Sequence, residues 1–210
     1  MLSEAALLSF IAALFSIMNP LGNVGIFAGL TEDFKPDESR AAAFVCAVST
    51  AITLLLMLWA GNTILGFFGL TVDTLRAAGG IIVLLIGLNM LSNNNSHRHT
   101  PSETEEEHQN TTVGIVPLAI PIVAGPGTMV TVLVAGQQNP NLLSKTEISV
   151  VIVIMSLLIG VFFSFANRLS NFMGETGMGV ITRVMGMILT AISMGMLADG
   201  LKGLLPGLAG

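Results

Sequence analysis

Long apolar stretches, separated by short polar ones, occupy most of this chain. A helix that crosses a bilayer needs about 20 predominantly apolar residues. Six stretches are long enough, and they lie near residues 5–30, 41–61, 75–91, 113–136, 148–165 and 180–197. The pattern predicts an all-α membrane protein with six transmembrane helices. The second helix is expected to start around Pro36, because the two acidic residues that follow this proline favour a helix N-terminus.

Two of the six stretches contain residues that interrupt a helix. An interior proline removes a backbone donor and clashes with the carbonyl group one turn back, and a polar group left unpaired in lipid is costly. We therefore predict that the first and fourth helices are broken and that the breaks line an enclosed cavity. The interrupting residues are Asn19, Pro20, Gly22 and Asn23 in the first stretch and Pro117, Pro121, Gly125, Pro126 and Gly127 in the fourth.

A polar and acidic tract, SNNNSHRHTPSETEEEHQN, divides the chain into halves. We predict a first three-helix repeat at 1–91, a linker at 92–111 and a second three-helix repeat at 112–210. Because each half holds an odd number of helices, the halves would cross the membrane in opposite senses, as in the inverted repeats of many secondary transporters. The residues that support a repeat are Pro20, Asn62, Gly69, Arg76 and Gly79, which align with Pro126, Asn167, Gly174, Arg183 and Gly186.

The linker carries His97, His99 and His108 among several glutamates, a composition that also suits metal binding. A metal site needs ligands held in place by supporting neighbours, which a polar tract of this kind does not supply. We interpret the tract as a solvated linker and expect neither a metal nor a cofactor.

Composition narrows the functional classes. The chain is 52% hydrophobic and only 10% charged, whereas soluble domains carry about 25% charged residues, so any chemistry is expected within the membrane. A net charge of -5 and the lack of a basic stripe argue against nucleic acid as a partner. The sequence contains no phosphate-binding glycine loop and no nucleophile–base motif, and we do not expect an enzyme.

The basic residues of the loops predict an orientation. Because cytoplasmic loops are enriched in lysine and arginine, the side with more of them is expected to face the cytoplasm. This places the linker in the cytoplasm and both termini outside. The residues compared are Lys35, Arg40, Arg98 and Arg168 on the linker side and Lys145 and Lys202 on the other.

The predicted breaks have a common chemistry. The helix that restarts points unpaired N–H groups at the cavity, and the helix that ends there presents carbonyl groups. Asn19, Asn23 and Thr128 add polar side chains. Such a site suits a small zwitterion with one carboxylate and one ammonium group. The alternative is that the prolines and glycines only kink the helices for packing.

Two arginines, Arg76 and Arg183, lie inside the predicted ends of the third and sixth helices. A charge at that depth is costly unless it is paired, and Asp73 lies three residues before Arg76, close enough to pair on one helix face. We assign the three residues a structural or gating role. The alternative is that the arginines are anchors at the membrane interface.

Four segments resemble the MarC family (UPF0056-type) of integral membrane proteins: MNPLGNVGIFAGL (18–30), RAAGGIIVLLIGLNML (76–91), VPLAIPIVAGPGTM (116–129) and ITRVMGMILTAISM (181–194). The resemblance implies a six-span protein of the bacterial inner membrane, and some relatives are described as transporters of small neutral amino acids such as glycine and alanine. By similarity, the substrate-binding positions are Asn19, Pro20, Gly22, Asn23, Gly125, Pro126, Gly127 and Thr128.

The leading hypothesis is therefore a secondary transporter that binds a small neutral amino acid between two broken helices near the membrane midplane and works by alternating access. A proton or sodium gradient would drive it. The main alternative is a non-transporting inner-membrane subunit or assembly factor, and a third is a channel. The expected partners are the substrate and the lipid bilayer. A homo-oligomer of this chain is an alternative to a monomer.

Overall fold

The computed structural model describes residues 2–92, 123–205 and 207. Within these residues, all regular elements are helical, which confirms the all-α prediction. The described helices are α1 (Glu4–Met18), α2 (Pro20–Leu30), α3 (Pro36–Phe67), α4 (Val72–Leu91), α5 (Pro126–Gln138), α6 (Leu142–Ser164) and α7 (Ala166–Leu204).

Five helical stretches in the described part of the chain are long and apolar enough to cross a membrane: Glu4–Leu30, Pro36–Phe67, Val72–Leu91, Leu142–Ser164 and Thr176–Leu204. They correspond to the first, second, third, fifth and sixth predicted helices. The fourth is described only from Val123 onward. Pro117, Pro121 and almost all of the linker, with its histidines, lie outside the described residues.

The ends of the helices differ from the prediction in extent. Helix α3 begins at Pro36, as expected, and the Glu38 side chain accepts a hydrogen bond from the Lys35 backbone N–H at 3.0 Å. It continues to Phe67, beyond the predicted limit at 61, because Asn62 and Thr63 do not end the helix and further apolar residues follow them. The predicted loop around Arg168 is wrong. This residue is helical, and the backbone leaves helical geometry only at Gly174, where φ is 65°.

Contacts between the helix ends define two faces of the molecule. The Leu2 backbone N–H donates to the Glu147 carboxylate at 2.8 Å, so the chain starts beside the beginning of α6. We call this end the terminal face, and it also holds the α3–α4 turn. Phe27, near the end of α2, stacks on Phe163, near the end of α6, with ring centroids 4.4 Å apart. This opposite end, which also holds Leu91, is the linker face.

Small residues let α4 and α7 approach closely. Helices α4 and α7 run antiparallel, and a Cβ added at Gly80 would lie 2.8 Å from the Leu197 backbone nitrogen. A Cβ added at Gly87 would lie 2.9 Å from the Thr190 nitrogen. Close backbone approach of this kind replaces the missing hydrophobic driving force between helices in lipid. Helices α4 and α7 therefore form a tightly packed pair.

Candidate functional site

The helical structure of the first span is interrupted at Asn19, which is the last cap residue of α1 and the first cap residue of α2. Its backbone is left-handed, with φ 48° and ψ 56°, and no other described non-glycine residue has a positive φ. The Asn19 N–H donates to the Phe15 carbonyl at 3.0 Å, and its side-chain Oδ1 accepts from the Gly22 N–H at 3.1 Å. Asparagine tolerates this conformation better than most residues. One residue therefore closes the first helix and caps the second.

A non-helical segment also lies directly before α5. Ala124 and Gly125 are not helical, Gly125 is extended, and Pro126 is the first residue of α5. No described side chain caps this helix. The first N–H groups of a helix have no partner within it, so the buried amides of Gly127 and Thr128 keep their donor capacity. This end of α5 differs from the start of α2, which Asn19 caps.

A polar side chain spans each interruption in the same way. The Asn23 Nδ2 donates to the Met18 carbonyl at 3.0 Å, and the Thr128 hydroxyl donates to the Val123 carbonyl at 2.9 Å. In both cases the bond reaches back five residues and is buried. An amide NH2 has a second donor, and a hydroxyl oxygen has lone pairs. The two side chains therefore stabilise the interruptions and can still form further hydrogen bonds with a polar ligand.

The two interruptions meet at one cavity of about 30 Å³. This volume suits about two or three water molecules, since one water needs roughly 10–15 Å³ by the same measure. Its polar lining comes from Asn19, Asn23, Gly125, Pro126, Gly127 and Thr128, and its apolar wall from Ile17, Ile82, Val83, Ile86 and Leu189. Residues over 100 positions apart in the sequence thus form one surface.

Two of the predicted substrate-binding residues do not line this cavity. Pro20 and Gly22 are buried next to it, and a Cβ added at Gly22 would collide with the Asn19 side chain and with Met90. In this conformation Pro20 begins α2, and Gly22 allows α2 to pack closely against Asn19 and Met90. Conversely, sequence reasoning missed the apolar wall. Its residues are ordinary members of apolar helices and carry no signal in the sequence.

Wider cavities lie on either side. The terminal vestibule, about 370 Å³, is lined on α5 by Thr131, Val134, Ala135 and Gln138. The linker vestibule, about 480 Å³, is lined by Gly25, Ala28 and Gly29 of α2 and by Glu32, which lies just after the end of this helix. Thr131, Val134, Ala135 and Gln138 each follow a counterpart by 106 positions (131 minus 25, for example), the separation that also relates Pro126 to Pro20. Val130, which also lines the terminal vestibule, has no counterpart among the described residues that line the linker vestibule. The two vestibules therefore share four pairs of lining residues at one constant separation.

Of the three charged residues predicted to share a structural or gating role, Asp73 and Arg76 lie close to each other and Arg183 lies elsewhere. Arg76 pairs with Asp73, with 3.6 Å between Nη1 and Oδ1, and lines the terminal vestibule with Asp199. Arg183 is exposed on α7 and lies in none of the three cavities. The gating role assigned to these residues stays a prediction.

The apolar spans and the buried helix interruptions define a multi-pass integral membrane protein. The chain belongs to the MarC family, because the model of the MarC family integral membrane proteins matches residues 5–205. The resemblance seen in the sequence is thus confirmed.

Three relatives illustrate how far this similarity extends. The chain is 35% identical to the UPF0056 membrane protein YvbG of Bacillus subtilis over 92% of its length and 93% of the relative. It is 32% identical to YhcE of Escherichia coli, over 95% of this chain and 93% of the relative. It is 34% identical to a UPF0056 membrane protein of Pyrococcus abyssi, over 90% and 91%. No solved structure matches the chain.

Proposed function

We propose that this protein is a secondary transporter of small neutral amino acids, similar in size to glycine and alanine. The substrate binds between the interruptions of the first and fourth helices, near the membrane midplane. The observation that carries the proposal is the meeting of both interruptions at one cavity, with a wider vestibule toward each face.

The polar groups at the cavity suit a zwitterion. The uncapped start of α5, at Gly127 and Thr128, offers N–H donors and a partial positive charge to a carboxylate. The side-chain oxygens of Asn19 and Asn23, together with the carbonyl end of α1, face the ammonium group. Among the described residues, no charged side chain lines the cavity. A substrate with a net charge would therefore be bound without a counter-ion at membrane depth, which is costly.

The cavity must widen to admit an amino acid. Its volume of about 30 Å³ is far below the roughly 300–1,000 Å³ typical of ligand pockets. Val83 and Ile86 of α4 and Leu189 of α7 form the wall opposite the interruptions. We infer that movement of these helices relative to α2 and α5 opens the site, first toward one vestibule and then toward the other.

An inverted repeat accounts for this geometry. Gly69 and Gly174, aligned from the sequence, have φ values of 66° and 65°, and no other described glycine has a positive φ. The shared separation of 106 positions between the vestibule linings supports the same relation. In this proposal the halves rock about the midplane site in the inner membrane, with the linker in the cytoplasm and both termini outside. A proton or sodium gradient drives the cycle.

Uptake by purified protein in liposomes tests the proposal. Labelled glycine or alanine should enter in a saturable manner that depends on an imposed proton or sodium gradient. Liposomes with the Asn23→Leu variant, which has a side chain of similar size but no amide, serve as the matched control and should show little uptake. Absence of uptake across a panel of amino acids would refute transport and favour the non-transporting subunit.

Cysteine labelling tests alternating access. Gly29→Cys and Ala135→Cys place thiols at equivalent positions of the two vestibules, and a Cβ at Gly29 meets no atom within 4 Å. The single native cysteine, Cys46, is buried and should react slowly. An impermeant reagent should modify each new thiol from one side only, and substrate should change the two rates in opposite directions. Modification of both thiols from both sides at once would indicate a channel.

A further inference from the structure

The terminal vestibule differs from the midplane cavity in both size and charge. At about 370 Å³, it falls within the range of about 300–1,000 Å³ found for ligand pockets, without any opening movement. It is lined by one basic and one acidic side chain, Arg76 and Asp199, and by the polar residues Thr131, Gln138 and Asn139. The midplane cavity has no charged side chain among the described residues that line it.

The Arg76 guanidinium has bonding capacity to spare. Its contact with Asp73 is 3.6 Å long, which is beyond hydrogen-bond distance, and the side chain is 21% exposed. None of its five N–H donors forms a hydrogen bond with a described residue. An arginine that served only to hold helices together would be expected to use these donors on neighbouring carbonyl groups. A cation near the end of a membrane span is costly, and its retention points to a function.

The linker vestibule offers a contrast. Its charged lining residue is Glu32, and neither lysine nor arginine is among its described lining residues. The position equivalent to Glu32 in the terminal vestibule is the neutral Gln138. The two vestibules are thus similar in backbone geometry but differ in charge, and only the terminal one carries both signs.

We propose that the terminal vestibule is a second binding site for zwitterionic amino acids, used before or after the midplane site. Arg76 binds the carboxylate through two parallel N–H donors, a geometry that its planar fork favours. Asp199, which lines the same vestibule, receives the ammonium group, while Phe10 and Val134 provide apolar surface for a small side chain. This inference rests on the proposed function, since it takes the same substrate class.

Equilibrium binding of labelled alanine to purified protein tests the second site. The wild type should show two sites per chain, and the Asn23→Leu variant, impaired at the midplane, should keep one. Adding Arg76→Gln to that variant should weaken the remaining site about tenfold or more, because hydrogen bonds to charged groups are strong. Arg76→Lys should give an intermediate loss, since it keeps the charge but not the fork. Arg183→Gln, at the exposed arginine that aligns with Arg76, is the matched control and should leave the site unchanged.

Substrate analogues separate zwitterion binding from simple anion binding. In the Asn23→Leu background, Asp199→Asn should weaken alanine binding and leave propionate binding unchanged. Alaninamide, which lacks the carboxylate, should compete poorly. If propionate or inorganic phosphate competes as well as alanine does, the vestibule is only an anion site and the inference is overturned.

Two results distinguish failure of this inference from failure of the transport proposal. Normal uptake by the wild type with a single binding site, or with a second site indifferent to Arg76→Gln, overturns the vestibule site and leaves transport standing. A wild type that neither transports nor binds amino acids overturns both.

Discussion

The hydroxyl of Thr128 provides a sharp test of how the second interruption is stabilised. It donates to the Val123 carbonyl at 2.9 Å, and Thr128 is fully buried. No described backbone N–H donates to that carbonyl. The Thr128→Val substitution keeps the shape of the side chain and removes the donor, so the Val123 carbonyl loses this hydrogen bond.

The magnitude follows from two ranges. An unsatisfied buried polar group costs about 1–3 kcal/mol, whereas hydrogen bonds between membrane helices contribute about 0.6 kcal/mol on average and about 1.7 at most. We expect Thr128→Val to lower the free energy of unfolding by about 1–2 kcal/mol. Thr128→Ser, which keeps the hydroxyl, should recover most of this loss.

Thr131 offers a matched control on the same helix. Its hydroxyl donates to the Gly127 carbonyl at 2.9 Å, four residues back within α5. This carbonyl is already placed to accept a helical N–H bond, so Thr131→Val should cost less than about 0.5 kcal/mol. The measurement is reversible unfolding of the purified variants by a denaturing detergent. Equal losses for Thr128→Val and Thr131→Val would show that the interruption does not depend on this hydroxyl.

Three further predictions concern the site, the packing and the linker. Gly127→Ala should reduce uptake at least tenfold, because its Cβ would collide with Val83 and lie 3.3 Å from a methyl of Ile17; Gly195→Ala, where a Cβ meets nothing within 4 Å, should transport normally. Gly87→Leu should prevent stable folding, measured as loss of monodisperse protein in detergent, because α4 and α7 would be forced apart. Deletion of residues 94–106 should leave uptake almost unchanged, and loss of transport in correctly inserted protein would show that the linker does more than connect the halves.

The residues of the site were more readily predicted than their arrangement. Asn19, Asn23 and Thr128 stand out in the sequence, because polar groups beside prolines within apolar stretches require a special environment. Their present hydrogen bonds, which reach back five residues within each interruption, were not predictable. Such bonds depend on backbone angles that proline and glycine permit but do not specify.

The apolar wall and the vestibules could not be predicted at all. In a soluble protein, hydrophobic periodicity separates the buried from the exposed face of a helix. In a membrane protein both lipid-facing and buried residues are apolar, so Val83 and Leu189 look like any neighbour in α4 and α7. The separation of the vestibule residues by 106 positions is a property of the cavity linings, which the sequence alone does not define.

The sequence by itself determined that the chain belongs in a membrane, where its apolar helices lie, and where their regular hydrogen bonding must fail. These properties follow from local chemistry: the solvation of apolar side chains, the missing N–H of proline and the need to pair every peptide group in lipid. Only the tertiary structure decided that the two interruptions share one cavity, that this cavity is too small for an amino acid in its present form, and that Arg76 lines a vestibule while Arg183 does not. Those outcomes depend on how closely helices from distant parts of the chain approach one another, and no local property of the sequence sets that distance.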